Sequence, residues 1–256
     1  TTMVLAKTNT SLSLQAEVAS LTLESGILIS YVAAKGANPR SETQSYYDHH
    51  EHEKLFTNRR RNSSATIDDR DDWEGVNALC QLIDTVIYAE RETNFFENKN
   101  VLEIGFATGL PSVYALAHGA NEVAVHCQSK EYLEYYIKPT LHRTNSDASK
   151  RVKLSSGDLI DCRIQRKFDV IIAPEILNCP IENFDEIHSI LDRGLSNEGV
   201  CFISARTTYL NNSGSLPQFL SLIGKHRKFV PLVRWTSPRN ELHPRQIIQI
   251  TRNLNF

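Results

Sequence analysis

Residues 101–119, with the sequence VLEIGFATGLPSVYALAHG, constrain the fold more than any other stretch of the chain. The stretch begins with a short apolar run rich in β-branched residues, which is typical of a strand buried on both faces. Gly105 and Gly109 then bracket a turn, and Pro111 stands where the first turn of a helix tolerates a missing N–H. The stretch therefore predicts a strand, a tight turn and a helix that ends at Gly119, which together open a βαβ unit.

The spacing of the glycines separates two classes of ligand. A dinucleotide-binding turn has the pattern G-x-G-x-x-G, but here Ala107 and Leu110 replace two of its three glycines. Glu103, an acid two residues before the first glycine, suits a ligand that carries a positive group near the turn. S-adenosylmethionine has an ammonium and a sulfonium and no phosphate, so we expect it rather than a nicotinamide cofactor. A plain turn, in which the glycines only relieve backbone strain, is the alternative.

The composition is that of an ordinary globular protein, with 256 residues of which 41% are hydrophobic and 23% charged. The formal net charge of -2 argues against a generally basic surface, so we expect no direct nucleic-acid binding. We also expect no membrane partner, because no apolar stretch approaches the roughly 20 residues of a membrane span. The five cysteines show no CxxC pattern, which favours reduced thiols in the cytoplasm or nucleus and no bound metal.

Residues 1–72 are more polar than the rest, so we expect an extension that is partly disordered, followed by a domain over residues 73–256. Within the extension, residues 24–34 predict one strand. The tracts HHEH, RRR and DDRDD, which end at residues 52, 61 and 72, are interpreted as a solvated linker. The histidines are a weak metal-site candidate, because nothing distant in the sequence supplies further ligands.

Beyond residue 72, helical and strand patterns alternate. A helix is expected from about Trp73, and a helix after the second strand should be interrupted at Pro139. The predicted strands are residues 101–104, 122–128, 152–154, 168–173, 200–205, 229–233 and 246–250. No helix separates the last two, so they can pair antiparallel. The order predicts an α/β fold with a doubly wound, seven-stranded, mainly parallel sheet that ends in an antiparallel pair, as in Rossmann-like class I methyltransferases.

Four segments carry a resemblance to a known family: GLPSVYALAHGANEVAVHCQ, SSGDL, FDVIIAPEILN and ISARTTYLNNSGSLPQFLSLI. With WEG at residues 73–75, they are similar to the histidine protein methyltransferase family, which methylates a histidine of a large-subunit ribosomal protein. The resemblance covers residues 73–250. It implies an S-adenosylmethionine-dependent protein-histidine N-methyltransferase whose partner is a protein substrate, with a ribosomal protein as the candidate.

The resemblance also implies which residues form the site. The glycine turn would shape the methionine end of the cofactor pocket, Gln128 would lie near the ribose, and Asp158 would accept a hydrogen bond from the adenine amino group. The first helix would close the pocket from the N-terminal side. The full set of cofactor positions is Glu74, Gly75, Glu103, Gly105, Ala107, Gly109, Gln128 and Asp158.

Methyl transfer to an imidazole needs mainly alignment and exclusion of water. A carboxylate that accepts a hydrogen bond from the second ring nitrogen would fix the reactive tautomer. Glu175, after the fourth strand of the domain, is the catalytic candidate, and Asn178 is a weaker one. The alternative for Glu175 is that it caps the next helix or orders the turn at Pro174. His126 is interpreted as a buried structural histidine.

Several positions depart from the family pattern. Ala107 replaces a turn glycine and would be strained if the turn needs a positive φ there. Ser129 replaces an acid that would hold the ribose, at a cost of about 1.5–3 kcal/mol for a lost charge-assisted hydrogen bond. Cys80 replaces a tryptophan, and Phe106 a cysteine. These changes favour a second hypothesis, a catalytically degenerate binding or assembly protein with the methyltransferase fold. A lysine acceptor is a further alternative.

Overall fold

The structure, a computed structural model, describes residues 16–34, 67–143, 148–162, 164–210, 212–238 and 244–254. The predicted polar tracts at residues 49–52 and 59–61 lie outside the described residues, and so do the side chains of residues 67–71. The division of the chain at residue 72 therefore stays a prediction. Within the described ranges, no helix is long and apolar enough to cross a bilayer.

The chain forms a two-stranded hairpin, a long helix and then an alternating series of strands and helices. The hairpin consists of β1 (Ala16–Thr22) and β2 (Leu28–Ala34), and the long helix is α1 (Ile67–Tyr88). The series that follows is β3 (Asn100–Glu103), α2 (Leu110–Ala117), β4 (Glu122–Cys127), α3 (Lys130–Tyr132), a π-helix (Leu133–Ile137), α4 (Lys138–His142), β5 (Val152–Ser156), β6 (Phe168–Pro174), α5 (Phe184–Gly194), β7 (Leu195–Arg206), α6 (Leu216–His226), β8 (Phe229–Thr236) and β9 (Arg245–Arg252).

Seven of these strands form one sheet in the order β5-β4-β3-β6-β7-β9-β8. The first five in this order are parallel, and β9 runs antiparallel to both β7 and β8. One apolar cluster, which contains the buried faces of α1 and α2, covers one side of the sheet, and a second cluster with α5 and α6 covers the other. The predicted fold class is confirmed. The strand order reverses between β3 and β6, so a crevice is expected outside their carboxyl ends.

The hairpin corrects the prediction of a single strand over residues 24–34. β1 and β2 pair antiparallel with Ala16 opposite Ala34, and the turn between them contains Gly26 with a φ of +87°. The first of the two strands, β1, lies before the predicted strand. The hairpin belongs to the same apolar cluster as α1, and the ring of Tyr31 stacks on Trp73 with 4.8 Å between centroids.

Asp84 of α1 fastens the hairpin to the domain. Its side chain is 1% exposed and accepts hydrogen bonds from the Ser25 N–H (2.9 Å), the Ser25 hydroxyl (2.7 Å) and the Tyr114 hydroxyl (2.8 Å). Ser25 lies in the hairpin turn and Tyr114 in α2. A single carboxylate therefore joins three elements that are distant in sequence.

Two helix boundaries also differ from the predictions. α1 begins at Ile67 and not near Trp73, so the DDRDD tract at residues 68–72, interpreted above as part of a solvated linker, belongs instead to this helix. The helix after β4 is not interrupted at Pro139. Instead, the Lys138 N–H donates to the Leu133 carbonyl five residues earlier, so that the proline falls in the first turn of α4, where its missing N–H is tolerated.

Replacing Asp84 with alanine should release the hairpin from the domain. The change leaves the buried Tyr114 hydroxyl and the Ser25 groups without their charged acceptor, so we expect a loss of about 2–4 kcal/mol in the free energy of unfolding. Urea denaturation measures it. The control, Glu198→Ala at an exposed carboxylate, should change stability by less than about 0.5 kcal/mol. Equal effects of the two substitutions would contradict this role of Asp84.

Candidate functional site

The glycine turn after β3 is packed directly against the end of β6. Gly105 has a φ of +95°, and a Cβ at this position would lie 2.6 Å from the Pro174 carbonyl oxygen. The Phe106 N–H donates to the same oxygen at 2.7 Å. Gly109 has a φ of +80°, whereas Ala107 does not adopt a positive φ. The strain considered for Ala107 is therefore absent, and the two glycines supply the conformations that the turn requires.

Glu103 is the acceptor around which this turn folds. Its carboxylate is 0% exposed and accepts hydrogen bonds from the N–H groups of Thr108 (2.7 Å), Gly109 (2.9 Å) and Ser112 (3.1 Å), and from the Ser112 hydroxyl. Burial raises the pKa of the Glu103 carboxyl, and these hydrogen bonds oppose that rise. Glu103 thus shapes the turn from inside. Its carboxylate does not face outward toward the positive group of a ligand.

Two predicted residues follow neighbouring strands at the same edge. Gln128 comes directly after β4 and Asp158 shortly after β5, and both are exposed. The strands end side by side, because Cys127 pairs with Ser156 and the Gly157 N–H donates to the Cys127 carbonyl at 3.0 Å. The structure therefore brings Gln128 and Asp158 to the edge that holds the glycine turn.

Ser129, which replaces an acid, has a glutamate beside it. Its hydroxyl accepts the Tyr132 N–H (3.1 Å) as the N-cap of α3 and donates to Glu131 (3.0 Å), which is exposed. The carboxylate of Glu131 therefore lies beside Ser129, the position at which the resemblance implies an acid. His126 is buried, and its ring nitrogens contact the Ser155 hydroxyl at 2.9 Å and the Asp158 carbonyl at 3.2 Å, which confirms its structural interpretation.

A row of aromatic rings borders the glycine turn. It runs from Tyr31 of the hairpin through Trp73, Phe106 and Tyr132 to Tyr136, with consecutive centroids 4.8, 6.0, 5.9 and 4.7 Å apart. Phe106 is half-buried within this row. The turn therefore has an aromatic border even though Cys80, at the position of the expected tryptophan, is buried in the core.

Glu175 directly follows β6 beside the turn and accepts hydrogen bonds from Arg245 and Tyr209. Its side chain is buried, with the residue 3% exposed and a φ of +49°. One carboxylate oxygen accepts from Nε of Arg245 at 2.8 Å, and the other accepts from the Tyr209 hydroxyl at 2.7 Å. Arg245 is itself 4% exposed and also donates to Glu74 at 3.2 Å. Neither Arg245 nor Tyr209 belongs to the helix that follows Glu175.

Gly75 and Asn178 belong to the same group of residues. A Cβ on Gly75 would lie 2.0 Å from Oε1 of Glu175, so only glycine fits at this point of α1. The Asn178 amide donates to Asp72 at 3.1 Å and accepts from Asn212 at 2.6 Å. The four predicted residues Glu74, Gly75, Glu175 and Asn178 therefore lie together.

Comparison with known proteins places the chain in a family. No family model matches the sequence. The uncharacterized protein F22B7.9 of Caenorhabditis elegans is 44% identical over 237 residues, which are 91% of this chain and 93% of that protein. This chain belongs to the F22B7.9 family. The histidine protein methyltransferase 1 homolog of Dictyostelium discoideum is 27% identical over 177 residues, which are 68% of this chain but only 56% of that protein.

Among solved structures, the F22B7.9-family chain is similar to the N-methyltransferase NodS from Bradyrhizobium japonicum, which was determined in complex with S-adenosyl-L-homocysteine. The TM-score is 0.52 at 12% sequence identity, and the match covers 68% of this chain and 85% of NodS. At this level of identity the similarity establishes the fold. It agrees with the strand order described above, so the chain has the class I methyltransferase fold.

Arg245 and Tyr209 are residues of this site that the sequence did not reveal. Arg245 lies 70 residues from Glu175 and Tyr209 lies 34 residues from it, at the start of β9 and after β7. No sequence pattern distinguishes these two residues from any other arginine at the start of a strand or any other tyrosine in a loop. The signal that was available is Gly75, since a glycine inside a long helix indicates that another group approaches it closely.

Two glycines inside helices should respond to alanine in opposite directions. Gly75→Ala places a methyl group on the Glu175 carboxylate, so we expect a loss of about 1–3 kcal/mol in the free energy of unfolding. In α6, an added Cβ at Gly224 meets nothing within 4 Å, so Gly224→Ala should stabilise by about 0.5–1 kcal/mol. Urea denaturation followed by circular dichroism measures both. Stabilisation by Gly75→Ala would contradict the close contact.

Proposed function

We propose that the chain is an S-adenosylmethionine-dependent protein methyltransferase whose acceptor is a histidine. The observation that carries the proposal is the reversal of strand order between β3 and β6. There a turn with two positive-φ glycines leads into α2, within a sheet that has the class I methyltransferase order. In open α/β sheets, ligands bind at such a reversal of strand order.

The residues around the crevice fit the cofactor. Gly105 holds the turn against the Pro174 carbonyl at the end of β6, and the exposed Gln128 and Asp158 offer acceptors at the two neighbouring strand ends. The rings of Phe106 and Tyr132 suit a sulfonium, because a cation is attracted to aromatic faces. S-adenosylmethionine, when bound, would supply an activated methyl group. The residues of this chain would hold it, align the acceptor and exclude water.

Glu175 is the residue proposed to face the acceptor. Its carboxylate accepts hydrogen bonds from Arg245 and Tyr209, which fix its orientation. A neutral imidazole that donated its N–H to this carboxylate would present its other nitrogen to the methyl group. Asn178 is placed to orient the same loop through Asp72 and Asn212.

A histidine acceptor is favoured over other side chains by the resemblance of the sequence and by the name of the Dictyostelium relative, a histidine protein methyltransferase homolog. We propose a protein substrate on the same ground, with a large-subunit ribosomal protein as the first candidate and the cytoplasm or nucleus as the location. A protein acceptor is compatible with Glu74, which is exposed beside the Glu175 site.

A catalytically degenerate binding or assembly protein is the second candidate. The observation that favours it is that the carboxylates of Glu103 and Glu175 are both engaged by internal donors. The presence of Ser129 in place of an acid also favours this second candidate. Such a protein would keep the sheet and the turn but transfer no methyl group.

Transfer of labelled methyl groups separates the two candidates. The chain is incubated with S-adenosylmethionine carrying a tritiated methyl group and a cell extract that contains ribosomes, and the labelled residue is identified after hydrolysis. We expect label on histidine. Labelled lysine would refute the histidine acceptor alone, and no label above background would support the degenerate protein.

A matched pair of glycine variants ties this activity to the crevice. Gly105→Ala strains a positive-φ residue and brings a methyl group 2.6 Å from the Pro174 carbonyl, so it should reduce methyl transfer at least tenfold. Gly26→Ala introduces the same backbone strain in the hairpin turn, where an added Cβ meets nothing within 4 Å. It should leave the transfer rate nearly unchanged. Equal losses in both variants would contradict a site at the Gly105 turn.

A further inference from the structure

Two histidine rings stack between α5 and α6. His188 of α5 and His226, the last residue of α6, have ring centroids 4.3 Å apart and ring planes inclined by 29°. The ring of Phe229, at the start of β8, packs against His188 in a T-shaped contact with 5.3 Å between centroids. The His188–His226 pair therefore joins the two helices at the end of α6.

The two rings differ in their surroundings. His188 is 5% exposed, and its Nε2 is buried without a hydrogen-bond partner among the described residues. His226 is partly exposed, and its Nε2 lies 3.8 Å from Oδ1 of Asp185, an exposed side chain of α5. A positive charge on His226 would therefore have a carboxylate and water beside it. A positive charge on His188 would be buried in a site where Nε2 has no acceptor, which is costly.

The carboxylate one turn after His188 already has cationic partners. Asp192, also on α5, accepts hydrogen bonds from Lys228 and, at 3.0 Å, from Arg252 of β9. These two cations compensate the charge of Asp192. The carboxylate is therefore engaged elsewhere and does not bond the His188 ring.

The groups around His188 together favour its neutral form. Burial is the main cause that lowers the pKa of His188, and the neighbouring His226 is the second. The positive charge of Lys228 acts in the same direction, whereas the carboxylates of Asp192 and Asp185 oppose it. The geometry of the stack and the charges around it thus have the same consequence, which is that the pair disfavours a proton.

We propose that the His188–His226 pair is a pH-sensitive contact that holds α6 against α5 at neutral pH and releases it in mild acid. With both rings neutral, His188 is buried against His226 and Phe229. In acid, each ring takes up a proton from water, and two cationic rings with centroids 4.3 Å apart repel each other. The stack is therefore stable only while His188 is neutral.

α6 connects this contact with a loop of the candidate site. The first residue of α6, Leu216, donates its N–H to the Thr207 carbonyl at 3.3 Å. The loop between these two residues contains Tyr209, which donates to Glu175. Release of α6 in acid would therefore loosen one end of the loop that brings Tyr209 to the site.

The direction of the pH effect follows from the lowered pKa of His188. In the unfolded chain a histidine takes up a proton as the pH falls below about 6.5, whereas His188 in the folded chain does so only at a lower pH. Between these two pKa values the unfolded state binds the additional proton, so the unfolding equilibrium constant rises by up to about tenfold per pH unit. The stability that depends on neutral His188 is complete above about pH 6.5 and is lost as the pH falls through the folded pKa.

The test compares the full chain with two variants of the pair and a control. His188→Phe keeps a planar ring in the stack but cannot take up a proton, and His226→Gln removes the second titrating ring at a partly exposed position. His142→Gln is the control, because His142 is an exposed histidine at the end of α4. Urea denaturation between about pH 5.5 and 7.5, the range in which histidine titrates, gives the unfolding equilibrium constant of each protein. Hydrogen exchange over the same range gives the protection factors of α1, α5 and α6.

For a pH-sensitive contact, we expect the unfolding equilibrium constant of the wild type to rise about threefold to tenfold more than that of His188→Phe as the pH falls over this range. His226→Gln should show a smaller rise than the wild type, because the second cation is absent. The control should keep the rise of the wild type. In the wild type, acid should reduce the protection of α5 and α6, including Leu216, more than that of α1.

Three results would overturn the proposal. The first is an equal pH dependence of the wild type and His188→Phe. If His188→Phe does not fold, the same rise in His226→Gln as in the wild type is decisive instead. The third is an equal loss of protection in α1 and α6, which would indicate unfolding of the whole domain and not release of α6. None of these measurements uses methyl transfer, so their outcome is independent of the proposed function.

Discussion

The contact between the glycine turn and the end of β6 is the constraint on which the rest of the site depends. Gly105 approaches the Pro174 carbonyl so closely that no side chain fits between them, and the Phe106 N–H bonds the same oxygen. This contact fixes the turn between β3 and α2 against the end of β6. Glu103 completes the turn by accepting hydrogen bonds from Thr108, Gly109 and Ser112, so the turn is held from within.

Glu175 directly follows Pro174, so one peptide bond joins the part of the site at the glycine turn to the part around Glu175. On one side lies the turn with its aromatic border and the strand ends that carry Gln128 and Asp158. On the other lies the buried group around Glu175, which ties α1 to β9 through Arg245 and Glu74. A cofactor in the first half and an acceptor in the second would therefore meet at the tip of β6. Methyl transfer, which requires alignment above all, fits this geometry.

The sequence predicted the parts of this structure that depend on local pattern. The strand, turn and helix at residues 101–119 follow from apolar periodicity and from glycine and proline chemistry, and the antiparallel pairing of the last two strands follows from the lack of a helix between them. The hairpin strand β1 was missed because its alternation is weak and its stability comes from contacts with α1, above all at Asp84. The π-helix before Pro139 was missed because a shifted hydrogen bond leaves no mark in composition.

The candidate site was predictable only in part, because contacts between residues that are distant in the sequence leave no local pattern. Its glycines and carboxylates stand within recognisable motifs, whereas Tyr209 and Arg245 reach Glu175 through pairings that only the folded sheet creates. Roles inferred for single residues changed accordingly. Glu103 was expected to face a positive ligand and instead supports the turn, and Ala107 was expected to be strained if the turn required a positive φ, but its φ is not positive. Burial and hydrogen-bond partners decide such roles, and neither is visible in a sequence.

We propose that an adenosyl sulfonium cofactor binds outside the carboxyl ends of β3 and β6. Isothermal titration of the full chain with S-adenosylmethionine tests it most directly, with thermal unfolding as a second readout of the same equilibrium, because a ligand that binds only the folded state raises its stability. We expect saturable binding of one cofactor per chain and a matching rise in the unfolding temperature. Neither heat nor a thermal shift at millimolar cofactor would contradict it.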